Sequence, residues 1–129
     1  MAVRQLRFKN DEALRKKGRE VTEVNDKIRM LLDDMMDTLH ASNNGAALAA
    51  NQIGILKRLV VIDYEGDFLK LVNPVIVTKR PMRVKVEALN EKGEKIILDR
   101  SGEMAKCLCH EIDHLDGIVF TDKVTEYLD

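Results

Sequence analysis

SGEMAKCLCHEIDHLDG, residues 101–117, is the most telling stretch of this chain. Ser101 can cap a helix over roughly 102–116, and Gly117 can close it in the left-handed conformation that ends many helices. Inside that helix His110 and His114 stand four residues apart. That spacing puts them on one face, with Cβ atoms about 5–6 Å apart. Imidazole nitrogens so placed can converge on a divalent ion at about 2.0–2.1 Å. Glu111 follows the first histidine and can reach a metal-bound water rather than the metal, which is the logic of the H-E-x-x-H pattern. Spacing alone leaves two readings open: a metal-binding pair, or two solvated histidines on a charged helix face.

A third protein ligand is harder to find, although zinc-type sites normally use at least three. Cys107 shares the stripe at three residues before His110 but is short and a turn away, so it is expected in the core. Cys109 lies about 100° around the helix from His110. His40 is expected on the terminal carbonyls of its own helix. No later Cys, His or Glu has zincin-like spacing.

Outward from this helix the pattern changes from period 3.6 to period 2. Lys95 to Asp99 and Arg83 to Leu89 read as two strands joined by the loop Asn90-Glu91-Lys92-Gly93-Glu94. Phe68 to Val77 reads as one or two strands broken near Pro74. Glu65-Gly66-Asp67 is a turn, and Leu59 to Asp63 is a buried strand. Ala46 to Gly54 is rich in small residues and is expected to pack closely against a neighbour. Residues 25–41 form an early helix. Ile28, Leu31, Leu32, Met35, Met36 and Leu39 lie on its dry face and Asp33, Asp34 and Asp37 on its wet one. The breakers Ser42 to Gly45 stop it, and a short helix is expected over residues 10–17. Helices, then strands, then a late helix predict an α+β fold, with antiparallel or mixed sheets around the helix that carries His110 and His114.

With 129 residues, the chain is expected to form one domain over 1–129. Lys plus Arg is 21 and Asp plus Glu 22, a net charge of −1. That balance argues against nucleic acid or an anionic membrane as the main partner. The charged N-terminus shows no signal peptide, and no run approaches the ~18 apolar residues of a membrane helix. Two cysteines one residue apart suit reduced thiols. A cytoplasmic protein is expected.

HEIDHLDG on the late helix, GAALAANQIG after the early one, and VIDY followed by LVNPVIV together resemble the peptide deformylase family, from about Val3 to Phe120. The resemblance implies a metal-dependent hydrolase that removes the formyl group from the N-terminal formyl-methionine of new polypeptides. It implies His110 and His114 as metal ligands for iron, zinc or nickel, Glu111 as general base and Gln52 as donor to the developing oxyanion. Gly45, Ala47 and Leu48 would line the substrate cleft. Asp113 would form a structural ion pair with Arg80.

Two departures from the family stand out. Its loop reads G-x-G-L-A-A-x-Q, whereas this chain has Ala47 at the second glycine, where a positive φ would strain a Cβ. Its middle motif E-G-C-L-S supplies the third metal ligand and an oxyanion-hole N–H. That motif is missing here, between about Thr78 and Arg80. Weak or lost activity is expected from this. The open alternatives are an active metallohydrolase, a non-catalytic peptide-binding module, a relic stable only with a partner and, more remotely, an unrelated H-E-x-x-H protease.

Overall fold

Asn25 turns the chain into the first helix, α1 (Asp26–Ala41). Its side chain accepts the Ile28 N–H at 3.1 Å, the ordinary N-cap bond. The computed structural model describes residues 17–42, 46–64 and 66–117. The helix expected over residues 10–17 lies outside them except for its last position, as do Gly45 and the tail from Ile118 to Phe120.

After α1 come β1 (Ala47–Ala49), a 3-10 turn (Ala50–Ile53), β2 (Leu59–Tyr64), β3 (Asp67–Arg80), β4 (Arg83–Leu89), β5 (Lys95–Ser101) and α2 (Gly102–Leu115). The strands form one sheet in the order β1-β2-β3-β4-β5, antiparallel throughout. Where mixed sheets were an open option, the parallel contact among the described residues is an isolated bridge, Arg19 to Lys57.

The sheet separates two cores. Val60, Ile62, Leu71, Val86 and Leu98 pack with α2 through Leu108, Ile112 and Leu115. Leu59, Val61 and Val72 face the other way, onto Leu32, Met35 and Leu39 of α1. Alternation along β2 therefore feeds both cores, which is why its sequence is an unbroken apolar run rather than apolar alternating with polar. Asp34, expected on the wet face of α1, is buried, and the Thr38 hydroxyl donates to its backbone carbonyl at 2.8 Å.

β3 is one strand of 14 residues and does not stop near Val77. The signal at Pro74 marks a bulge instead, with register shifts between Val72 and Val75 and between Ile76 and Thr78. Proline lacks the ladder N–H and is tolerated at such a place. Asn73 has φ 53°, and its side chain accepts the Val21 N–H and donates to the Val21 carbonyl, both at 2.8 Å. Bulges bend strands, and the sheet curls around α2. Its closure is visible where Arg100 of β5 donates twice to Asp67 of β3, at 2.9 Å each, although these strands are not ladder neighbours.

Ser101 stands at the N-cap of α2 but makes no side-chain cap bond, contrary to expectation. It is still a strand residue, paired with Arg83 in the ladder. The turn into α2 is made by Gly102 at φ 61°, whose N–H donates to the Met82 carbonyl at 2.8 Å. Gly117 closes the helix at φ 79°, as expected. Neither helix is long and apolar enough to cross a membrane.

Candidate active site

The C-terminal end of α2 is clamped from three directions. Its Leu115 carbonyl accepts from Gly18 N–H at 2.7 Å and from Arg58 Nη1 at 3.2 Å. Arg58 also pairs with Asp116 at 2.9 Å. The His114 carbonyl accepts from Gly117 N–H at 2.9 Å and from Asn51 Nδ2. Carbonyls that a helix end leaves open are thereby satisfied, and the turn carrying His114 is held in place. Asn51 and Gln52 sit side by side in the 3-10 turn, so the bond from Asn51 also ties the Gln52 segment to α2.

The Gln52 amide is oriented by its neighbour. Oε1 accepts the Ala49 N–H at 2.9 Å. A backbone N–H only donates, so the oxygen is the atom facing it. Both Nε2 hydrogens are left uncommitted among the described residues.

Burial sets the electrostatics. Glu111 is buried, and desolvation alone pushes its carboxyl up to about 8. Oε1 of Glu111, Nδ1 of His114 and Oδ1 of Asn51 are buried without a hydrogen-bond partner among the described residues. Desolvation also pulls His114 below the usual imidazole range, helped by His110 and opposed by Asp113. The Cys107 thiol is raised to about 12 by burial and by the Glu111 charge.

A hollow of about 340 Å³ opens beside this group, lined among others by Ala47, Tyr64, Cys107, His110 and Glu111. Ala47 lines the same hollow as His110 and Glu111. It is a strand residue, and the non-glycine residues with positive φ among those described are Asn73 and Met82, so no strain arises at Ala47. Leu48 is not a lining residue: alternation along β1 turns it into the core under α1. Cys107, expected in the core, is half-buried at the wall of the hollow. His40 reaches neither the centre nor its own helix's carbonyls through its ring, which bonds Asp63 Oδ2 at 2.7 Å. Arg80 is exposed at the end of β3 and Asp113 half-buried on α2. Sequence reasoning passed over Glu103 and Lys106 as wall residues. The signal was available: 103, 106, 107 and 110 follow the i, i+3, i+4, i+7 rule of one helix face.

The donor set does not fit a three-ligand metal centre. His110 and His114 offer two imidazoles, and no group of three His, Cys, Asp or Glu side chains among the described residues could hold an ion. Cys107 does not complete such a group with the two histidines among the described residues.

The family model described as polypeptide deformylase matches residues 3–80 and again 73–128. Peptide deformylase 2 of Clostridium acetobutylicum is 56% identical over 149 aligned positions, covering 99% of each chain. The peptide deformylase of Acetivibrio thermocellus is 47% identical, over all of this chain and 88% of its own length. Among solved structures, the peptide deformylase of Ehrlichia chaffeensis in complex with actinonin superposes with a TM-score of 0.90 at 33% identity, over 99% of this chain and 92% of that one. An alignment of 149 positions to a chain of 129 residues leaves at least 20 positions without a counterpart here. The two family matches meet at residues 73–80, in the second half of β3.

Proposed function

This chain belongs to the polypeptide deformylase family, and on that premise we propose that its cleft receives the formyl-methionine N-terminus of new polypeptides. Hydrolysis there is at least about 10²-fold slower than in relatives that carry the cysteine segment, the scale of losing one oxyanion donor. The observation that carries this reading is the donor count: two imidazoles, with no third ligating group beside them among the described residues. The metal that the family implies is a divalent ion, for which His110 and His114 are the candidate ligands.

What the chain's own residues do follows from their protons. Gln52 Nε2 is available to donate to the formyl oxygen, since Oε1 is occupied by Ala49. Burial holds the Glu111 carboxyl above the ordinary carboxylate range, and a general base must be ionised. The missing third ligating group favours a second, related reading, in which the cleft binds formyl-methionyl peptides without turning them over. A cytoplasmic setting goes with that substrate.

The test pairs metal content with two assays on the purified full chain. Metal is measured in wild type and His110→Ala after exposure to iron or zinc. Formyl-methionyl peptide binding and hydrolysis are then compared with the Clostridium relative. Binding with substoichiometric metal and hydrolysis down by about 10² or more supports the proposal. Turnover equal to the relative's overturns the reduced-activity reading, and absence of binding overturns the substrate.

A further inference from the structure

A second hollow, of about 200 Å³, lies on the other flank of α2, between that helix and the tip of the β3–β4 hairpin. It shares Glu103 and Lys106 with the cleft beside His110 and Glu111. An extended chain leaving the cleft over the first turns of α2 therefore crosses Lys106 and arrives there. A helix with its side chains is about 10–12 Å across, and a strand advances about 3.3 Å per residue. Because Glu103 and Lys106 line both hollows, the crossing is shorter than a full helix width and takes at most about three residues by that measure.

The far hollow is basic. Lys79 and Arg80 line it from the hairpin, and Lys106 from α2. All three are exposed, and none has a carboxylate partner among the described residues. Arg83 is also present but is neutralised by Asp99 at 2.8 Å. Glu103 is the one acid on the rim among the described residues, so three cations face a single carboxylate there. Met82 stands between the cations, 75% exposed and at φ 64°, an uncommon conformation for a side chain of that kind. Exposed cations without carboxylate partners are complementary in charge to an acidic peptide, and exposed Met82 among them offers it an apolar contact.

We propose that the preferred occupants of this cleft are formyl-methionyl peptides with carboxylate side chains beginning about three residues after the methionine, held by Lys79, Arg80 and Lys106. The inference rests on the peptide-binding reading above and adds a substrate class to it. Met82 covers the peptide backbone on the hairpin side. The cations act by charge rather than by bonds of fixed geometry, so the preference is for acidity in that window and not for one sequence.

The test is equilibrium binding to the full chain, read by fluorescence anisotropy. The probes are formyl-Met-Ala-Ala-Asp-Glu-Asp and formyl-Met-Ala-Ala-Lys-Arg-Lys, each labelled at its C-terminus, with unformylated versions of both. The acidic formyl peptide is expected to bind about tenfold tighter at low salt, the sum of a few exposed charge pairs. The gap should close near 0.5 M salt. A triple variant, Lys79→Glu, Arg80→Glu and Lys106→Glu, alters only exposed side chains and should invert the preference. Formyl-dependent binding with no acidic preference, or a preference that the triple variant leaves unchanged, overturns this inference while leaving the proposed function intact. If neither formyl peptide binds, the proposed function itself fails. If the acidic peptide binds equally with and without its formyl group, the basic hollow is not the exit path of the cleft and the inference falls.

Discussion

Glu111 couples the site to the stability of the chain through one proton. Burial raises its carboxyl from the ordinary 4.5 to about 8. The folded state therefore holds a proton that the unfolded chain releases above about pH 4.5. The resulting stabilisation is complete below that value and is lost as pH rises through 8, at up to about 1.4 kcal/mol per pH unit. His114 acts oppositely: its lowered value makes stability fall as pH drops below the usual imidazole range. The clean window is thus pH 6.5 to 8. Glu111→Gln keeps the shape and removes the titration, so its melting temperature should stay nearly flat there while that of wild type declines. Parallel curves for the two proteins would show that Glu111 is not held protonated. Gln52 supports a second prediction at this scale. Gln52→Glu puts a carboxylate where the proposed function has an amide donate to the formyl oxygen, so formyl-peptide affinity in calorimetry should drop about tenfold or more, the usual scale for a charge-assisted bond turned repulsive. Unchanged affinity would remove Gln52 from the binding role.

The two helix starts are a matched pair that separates sequence signal from structural use. Asn25 caps α1 with a real bond to Ile28 N–H, so Asn25→Ala should cost about 1 kcal/mol in denaturant unfolding. Ser101 has the same cap-forming chemistry but makes no cap bond, because the ladder with Arg83 holds it as a strand residue. Ser101→Ala is therefore expected within about 0.5 kcal/mol of wild type, the range of an ordinary surface change. Equal losses at both positions would mean that the serine caps α2 after all. Period and turn residues made the existence of these elements legible, and α1, β2, β4, β5 and α2 fall close to where the periodicity puts them. Pro74 was a correct signal with the wrong reading, since a bulge accommodates a proline as well as a strand end does. The sequence gives no sign of which way β1 faces, because a three-residue strand of small residues has too little alternation to show that Ala47 turns to the hollow and Leu48 to the core under α1.

At the scale of the whole molecule, local patterns brought His110, Glu111, His114 and Gln52 into view. They could not supply the distances between elements. The ion pair expected for Arg80 and Asp113 joins two elements far apart in sequence, a relation that no local pattern carries. Arg58 and Asn51, which clamp the end of α2 from β2's approach and from the 3-10 turn, carry no motif, only a position in the folded chain. The absent positions bear most directly on the site. The β3–β4 connection is now the two residues Pro81 and Met82, at an exposed tip. Lengthening such a loop by about 20 residues should cost only about 2 kcal/mol in closure entropy, at roughly 0.6 kcal/mol per doubling. Grafting the corresponding segment of the Clostridium relative between Thr78 and Arg80 adds to that cost only the last two rungs of the β3–β4 ladder, Lys79 with Val84 and Arg80 with Arg83, at the exposed end of the strand, and is a tolerable change. The resemblance assigns that segment the missing ligand and an oxyanion donor. The graft should raise metal content towards one per chain and formyl-methionyl peptide hydrolysis by about 10² or more. The same graft with its cysteine replaced by serine is the control, and should fold alike while recovering little of either. If the cysteine graft folds, holds metal and still does not turn over, the fault lies in the remaining wall of the cleft. Ala47 is then the residue to change, to glycine, because it lines the same hollow as His110 and Glu111 and the family loop carries a glycine there.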